Sequence, residues 1–282
     1  MSDVSDTRRE ASRNDLVTVI TGAGNGIGRA LALAMSRRGA LVLATDLDAD
    51  AAVRTRDLIT QSGGTARAMP LDVTRTENYE TVRDFCLDTW GRVDRVVNNA
   101  GIVALGLPEN LPLSAWLRTV DVNLLGIARS NEVFLPTLLA QGHGHVVNIA
   151  STSGLFPYSF DRLAYVATKA AVVAMSESLA LYLRPQGIDV SCVCPAGVRT
   201  TMIERMSRHG PQQPMGTPAL PVVMPEDFAE HVVDRLAAGD FLICSVPEAF
   251  EAVARRGADL DANLAAAIAQ HGFRPPAQSH PE

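Results

Sequence analysis

The stretch LVTVITGAGNGIGRALALAMSRRGALVLATD, residues 16–46, reads as strand, glycine turn, helix and strand in succession. Residues 16–20 are short, apolar and rich in β-branched side chains, as in a strand buried on both faces of a parallel sheet. Residues 21–28 hold Gly22, Gly24, Gly26 and Gly28, more glycine than a plain turn uses. Residues 29–38 are amphipathic at helical spacing and stop at Gly39, and residues 40–45 form a second uncharged run ending at Asp46. Such a unit presents the free N–H groups and positive dipole end of its helix to a phosphate, across a turn that lets the backbone come close. The spacing GxGxxG is absent; Gly22, Gly26 and Gly28 give GxxxGxG instead.

The alternation continues outward. Helix is expected over 48–61, strand over 66–69, helix over 76–90 closed by Gly91, and strand over 95–97 running into Asn98-Asn99-Ala100-Gly101. A long, interrupted helix over 113–139 follows, then strand 145–150, helix 164–183 and strand 188–194. Helix 225–238 opens on a proline; strand 241–244 and a mostly helical 247–270 close the chain. This regular succession, with no linker or repeat, predicts a single α/β domain over 15–271. Its fold class is a Rossmann-type doubly wound parallel sheet in three αβα layers. The polar ends 1–14 and 272–282 are expected to be loose tails. Residues 201–224, irregular and rich in Pro, Met and Gly, are expected to form a substrate lid. Ligands of such sheets bind beyond the carboxyl ends of the strands, where every polar motif below falls.

The 282 residues are 47% hydrophobic and 20% charged, enough to bury a core as one unit. A net charge of −6 argues against nucleic acid as a partner. Residues 1–14 lack an apolar signal region, and no uninterrupted apolar run reaches about 18 residues, so neither secretion nor a membrane span is expected. A cytoplasmic location is the default expectation. Cys86, Cys192, Cys194 and Cys244 show no CxxC spacing; Cys192 and Cys194 alternate along strand 188–194, face one side and read as reduced packing thiols. His143-Gly144-His145 has no acidic or cysteine neighbour in sequence and reads as a loop, so no metal is expected. Arg255-Arg256 reads as solvated surface.

Asp46 stands 18 residues after Gly28. A carboxylate there accepts hydrogen bonds from both adenosine ribose hydroxyls and repels a 2′-phosphate, favouring NAD over NADP. Leu47 after it and Asn25 in the turn offer no cation to such a phosphate, and Asp48 is the better cap for the next helix. Tyr165-Val166-Ala167-Thr168-Lys169 opens a helix, and its i, i+4 spacing puts phenol and ammonium on one face. A neighbouring ammonium is expected to lower the phenol's pKa from about 10 toward working pH, making Tyr165 a general acid/base. Of the 25 lysine and arginine residues, only Lys169 is lysine, and it falls in this motif.

Taken together, these pieces resemble the classical short-chain dehydrogenase/reductase family. The matching pieces are TGAGNGIG at 21–28, Asp72-Val73, NNAG at 98–101, Asn123, Ser151, YVATK at 165–169 and PAGVRT at 195–200. They keep the family's order and nearly its spacing across residues 15–200. The resemblance implies that Tyr165 moves the proton of the substrate oxygen and that Lys169 tunes it and binds the nicotinamide ribose. It implies that Ser151 hydrogen-bonds the substrate oxygen and that Asn123 interrupts its helix and holds a relay water. The cofactor would touch Gly22, Asn25, Gly26, Ile27, Gly28, Asp46 and Leu47. Asp72 and Val73 would border the adenine. Asn99 would brace the sheet beside Ala100 and Gly101, and Pro195, Gly197, Val198 and Thr200 would line the carboxamide and phosphate side.

Ser151 precedes Tyr165 by 14 residues where the family usually has 13, so Thr152 stands as the alternative hydroxyl. Pro195-Ala196-Gly197 replaces the usual Pro-Gly and narrows the space beside the nicotinamide. Ser153, Phe156, Tyr158, Phe160, Met202 and Met206, with Ile203, are expected to wall the substrate pocket. A largely apolar wall suits a hydrophobic, aromatic or alicyclic secondary alcohol or ketone. The resemblance also implies a homodimer or homotetramer through helices 113–139 and 164–183. A non-catalytic NAD(H)-binding sensor or scaffold shares the fold but has no need of both Tyr165 and Lys169; epimerases and dehydratases share YxxxK but carry a larger C-terminal region.

Overall fold

The computed structural model describes residues 15–156, 158–200, 202, 206–211 and 220–271. The two expected tails lie outside these residues, as do lid positions 201, 203–205 and 212–219, Ile203 among them. The strands and helices run β1 (Val17–Thr21), α1 (Gly26–Arg37), β2 (Leu41–Asp46), α2 (Ala49–Gln61), β3 (Ala66–Pro70), α3 (Thr76–Trp90), β4 (Arg95–Asn98) and β5 (Ala104–Leu105). There follow α4 (Leu113–Val120), α5 (Gly126–Gln141), β6 (Gly144–Ile149), α6 (Thr152–Leu155), α7 (Leu163–Leu183), β7 (Ile188–Cys194), β8 (Gly197–Val198) and β9 (Ser207–Arg208). Last come β10 (Val222–Val223), α8 (Pro225–Ala237), β11 (Leu242–Cys244), α9 (Glu248–Ala258) and α10 (Leu260–His271).

Seven strands form one parallel sheet in the order β11-β7-β6-β4-β1-β2-β3. The chain starts in the middle, builds outward through β2 and β3, then returns to the other side of β1 at β4. The reversal lies between β1 and β4, where a doubly wound sheet opens a crevice. Strand alternation feeds both faces. Ile20, Val97, Val147 and Val193 pack with Leu31 and Met35 of α1 and with Phe228 and Val232 of α8. Val19, Val96, Val146 and Val190 pack with Tyr79 and Val82 of α3 and with Phe134 and Leu138 of α5. The expected uncharged strand runs follow from this two-sided burial.

α1 begins at Gly26, three residues ahead of the expected start, because the turn delivers Gly26 at φ +51° straight into the helix. The long helix is interrupted as expected: α4 and α5 are joined by a π-helical segment, Asp121–Leu125, centred on Asn123. The stretch 201–224, expected to be irregular, contributes β9, which pairs with β5, and β10, which pairs with β8. Two-residue strands carry no readable periodicity. α7 is apolar and long enough to pass a composition test for a membrane span, but it buries Ala164, Lys169, Val172 and Leu183 within the domain.

Candidate active site

The glycine turn lies over the carboxyl end of β1. Thr21 ends that strand, and its hydroxyl accepts the N–H groups of Asn99 and Ala100, each at 3.0 Å. The Asn99 side chain donates to the carbonyls of Thr21 (2.9 Å) and Gly22 (3.1 Å), tying the end of β4 to the turn. A Cβ on Gly28 would fall 2.2 Å from the Gly22 carbonyl oxygen and 2.4 Å from Asn99 Nδ2; only glycine lets the helix come this close. Ile27 packs on the α1/α8 core. Thr200 stands over the turn, 3.2 Å from the place a Gly26 Cβ would take. Arg29, missed in the sequence reading, lays its guanidinium on the turn, donating to the Gly24 carbonyl and to Asn25 Oδ1 (3.1 Å). Its four-residue spacing from Asn25 was the available signal. The opposite amide atom, Asn25 Nδ2, is buried without a partner.

Asp46 ends β2 beside this turn. Its carboxylate accepts the N–H groups of Gly24 (2.8 Å) and Asp48 (3.0 Å). Asp48 is the cap of α2, accepting from Ala51 N at 3.0 Å, and Leu47 is exposed. Asp72 closes onto Thr74; burial works against its charge, yet the Thr74 N–H and hydroxyl, with Arg75 and Arg118, hold its carboxyl below the usual range. Val73 is buried against Gly126 at the start of α5. On the far side, Gly197 and Val198 pair with Val222 and Val223. Pro195 O accepts both the N–H (3.0 Å) and the hydroxyl (3.3 Å) of Thr152. The additional Ala196 donates its N–H to Ser245 Oγ at 2.9 Å.

The fit of this turn to a dinucleotide rests on its free donors. The first N–H groups of α1 face outward from a helix start with no side-chain cap, and Asn25 Nδ2 lacks a partner. A pyrophosphate fits both, with Asp46 placed for a ribose.

Beyond β6 and β7 the proton-handling groups converge. Ser151 follows β6 and caps α6, accepting the Ser153 N–H at 3.1 Å. Its side chain also acts on the Tyr165 phenol, lowering its pKa. Thr152, its alternative, spends its hydroxyl on Pro195, so the one-residue shift in spacing is absorbed by the short helix α6. Lys169 is 4% exposed; its Nζ donates to Ile149 O at 2.6 Å and lies 5.7 Å from the centre of the Tyr165 ring. Gly101 leaves room here, since a Cβ on it would stand 3.4 Å from Asn123 Oδ1 and 3.8 Å from Lys169 Nζ. Asn123 is fully buried. It pairs with both backbone groups of Ile102, accepting at 2.8 Å and donating at 3.0 Å, and donates to Thr168 Oγ1 at 3.3 Å. This pairing accounts for the π-helical step.

One expectation is corrected. The phenol of Tyr165 is not acidified by its lysine: burial pushes it up to about 12, against a lowering by the Ser151 hydrogen bond. Burial also pushes Lys169 down to about 8, with the thiols Cys194 and Cys192 acting against that. For both groups desolvation is the largest influence and disfavours the charged form. The nearness of the two thiols, whose sulfurs are 3.8 Å apart, was unreadable from sequence, though their shared face was expected.

The residues expected to wall the pocket sit as follows. Ser153 donates to the Tyr158 hydroxyl at 2.8 Å, and the ring of Tyr158 leans on Phe156 at 6.2 Å between centres. Phe156 is buried in the core beside β7, so it supports the wall from behind. Phe160, Met202 and Met206 are half-buried; Met202 donates its N–H to Thr200 Oγ1 at 3.3 Å. His143, expected to lack an acidic neighbour, lies 3.8 Å from Asp94, which β4 brings across the sheet. Among the described residues no cluster of metal-ligating side chains occurs.

A doubly wound sheet with a glycine turn at its switch point and a Ser–Tyr–Lys group facing it defines an oxidoreductase using a nicotinamide dinucleotide. The short chain dehydrogenase family model matches residues 16–210. The chain is 34% identical to cyclohexanol dehydrogenase from Acinetobacter sp. (strain SE19), over 67% of this chain and 76% of that protein. It is 32% identical to NAD-dependent glycerol dehydrogenase from Listeria innocua, over 67% and 72%. A short-chain dehydrogenase/reductase from Burkholderia phymatum, solved in complex with NAD, superposes with a TM-score of 0.79 at 29% identity, covering 88% of this chain and 95% of that one. The chain belongs to the short-chain dehydrogenase/reductase family and is an oxidoreductase of that family.

Proposed function

We propose that the chain is an NAD-dependent enzyme interconverting a secondary alcohol and a ketone, with Tyr165 as its general acid/base. The observation that carries this reading is the buried Lys169, bonded to Ile149 O and 5.7 Å from the centre of the Tyr165 ring, with Ser151 acting on the same phenol. The dinucleotide, when bound, would supply or accept the hydride. The chain's part is to place one carbon and manage one proton. At neutral pH the Tyr165 phenol is protonated and ready to donate to a carbonyl oxygen, with Ser151 sharing that oxygen. In the reverse direction the phenolate must form; Arg162, whose charge lowers the phenol's pKa, and Lys169, charged below about 8 and 5.7 Å from the ring centre, are the cations on hand to support it.

Two N–H groups on its carboxylate hold Asp46 in place at the ribose side, which supports NAD over NADP. The aromatic wall of Phe156 and Tyr158, and the alcohol named in the Acinetobacter relative, support a hydrophobic or alicyclic substrate. Exposed Leu113, Leu117, Leu181 and Tyr182 on α4 and α7 support self-association through those helices. The test follows reduced-cofactor absorbance with a panel of secondary alcohols, with NAD⁺ and NADP⁺ in parallel. Tyr165→Phe should abolish turnover and keep nucleotide affinity. Undiminished activity in that variant refutes the mechanism, and binding without turnover of any alcohol by the unmodified protein returns the non-catalytic reading.

A further inference from the structure

We propose that Tyr158 is a second substrate-binding phenol, selecting alcohols that carry another oxygen on a nearby carbon: vicinal diols in one direction and hydroxy ketones in the other. The proposal rests on the oxidoreductase reading above and names the substrate class of the same site.

The argument starts from one short turn. Ser151 caps α6 and acts on the Tyr165 phenol; Ser153, two residues on, donates its hydroxyl to Tyr158 at 2.8 Å. The Ser153 N–H is in turn held by Ser151 Oγ at 3.1 Å. A single turn therefore carries both serines, Ser151 on the side of Tyr165 and Ser153 bonded to Tyr158. Ser153 is 1% exposed, so its hydroxyl needs a partner inside the protein. With Ser153 donating, the phenol oxygen of Tyr158 is the acceptor and its own proton stays available. Tyr158 is half-buried rather than sealed, and its ring is backed by the buried Phe156.

Two phenols set about one short turn make a fork. Tyr165 serves the reacting oxygen, and Tyr158 is placed to donate to a second one. A diol satisfies both; a simple alcohol leaves the Tyr158 hydroxyl without a substrate partner. A site built to hydrogen-bond a hydroxyl rejects the analogue lacking it far better than an apolar pocket separates a methylene. The reaction is unchanged in kind. One carbinol carbon gives up a hydride to NAD⁺ and its oxygen gives up a proton through Tyr165. The second hydroxyl is retained, and the product is a hydroxy ketone with NADH and a proton. Were Tyr158 packing alone, its hydroxyl would serve only to satisfy Ser153.

The experiment measures kcat/KM of the full chain with NAD⁺ for matched pairs: cyclohexanol with trans-cyclohexane-1,2-diol, and 2-butanol with 2,3-butanediol. Tyr158→Phe should lower the ratio of diol to simple alcohol about tenfold, mainly through the KM of the diol. Ser153→Ala, which frees the phenol from its tie, should lower the same ratio about threefold. A ratio unmoved within about twofold in both variants overturns the proposal, as does an equal loss on both members of each pair. Turnover of no alcohol by the unmodified protein overturns the oxidoreductase reading itself. Turnover with an unmoved ratio overturns only the role of Tyr158.

Discussion

Replacing Lys169 by methionine should make the protein more stable at pH 7 while destroying its activity. The ammonium is buried, bonded to the Ile149 carbonyl at 2.6 Å, and burial brings its pKa from 10.5 down to about 8. At ~1.4 kcal/mol per pH unit, holding that charge inside at pH 7 costs about 3 kcal/mol relative to the unfolded chain. Methionine fills the space of the lysine stem without the charge. It leaves Ile149 O short of one donor, a loss of about 1 kcal/mol. The net expectation is a gain of about 2 kcal/mol. The sign with pH is fixed: below about 8 both folded and unfolded lysine are charged and the penalty is complete. Between about 8 and 10.5 the folded group is neutral while the unfolded one still binds a proton, so the penalty shrinks as pH rises. The advantage of the variant should therefore fade over that window. Lys169 is the only lysine, and subtracting the two proteins cancels the tyrosines and the thiols. Urea unfolding without nucleotide, followed by fluorescence of Trp90 and Trp116 from pH 7 to 10.5, measures the difference. A variant less stable than the parent at pH 7, or a difference that does not change with pH, would refute this account.

Three further outcomes are expected. Gly28→Ala drives a Cβ to within 2.2 Å of the Gly22 carbonyl oxygen. The turn must open, and nucleotide affinity measured by calorimetry should fall at least tenfold with the fold retained by circular dichroism. His145 is buried, bonded to Ser191 at 2.9 Å, and held well below 6.5 by burial and then by Arg95 and Arg184. Its folded pKa is depressed, so stability should drop as pH falls below about 6.5, and His145→Gln should flatten the urea midpoint between pH 7 and 5. Asn123→Ala strips both backbone groups of Ile102 of their partner. It should cost about 2–3 kcal/mol in urea unfolding; a loss under about 0.5 kcal/mol would show that the amide does not hold the π-helical step.

The fold was readable because its decisive signals are local. Uncharged strands such as residues 17–21 and the Gly91 stop of α3 are set by burial on two faces and by a left-handed cap. The Ser–Tyr–Lys group and Asp46 were readable because each sits at a strand end or helix start that the alternation locates. Hidden features depend on contacts across the sheet. Asp94 reaches His143 and the Val17 N–H only through strand pairing. The two-residue pairings of β5 with β9 and β8 with β10 are too short for any period. The tuning of Tyr165 was misjudged for a related reason: i, i+4 spacing reports nearness, whereas the pKa is set by how much water the finished fold removes.

The polar groups of the site divide into those consumed by the scaffold and those left over. Thr21, Asn99, Asn123 and Thr152 spend their side chains on backbone groups at the carboxyl ends of β1, β4, β6 and β7. They make the crevice rigid, and none has a donor to spare. Asn25 Nδ2 has no partner although it is buried, a condition that costs about 1–3 kcal/mol for a neutral amide. Its own oxygen is already tied to Arg29, so the amide cannot turn to escape that cost without breaking another bond. A ligand oxygen at the turn offsets the cost at once, and binding then restores stability that the free protein lacks. The strain of the empty donor and the affinity for a phosphate are thus two measures of one arrangement, fixed by Arg29 on one side and by the glycines on the other.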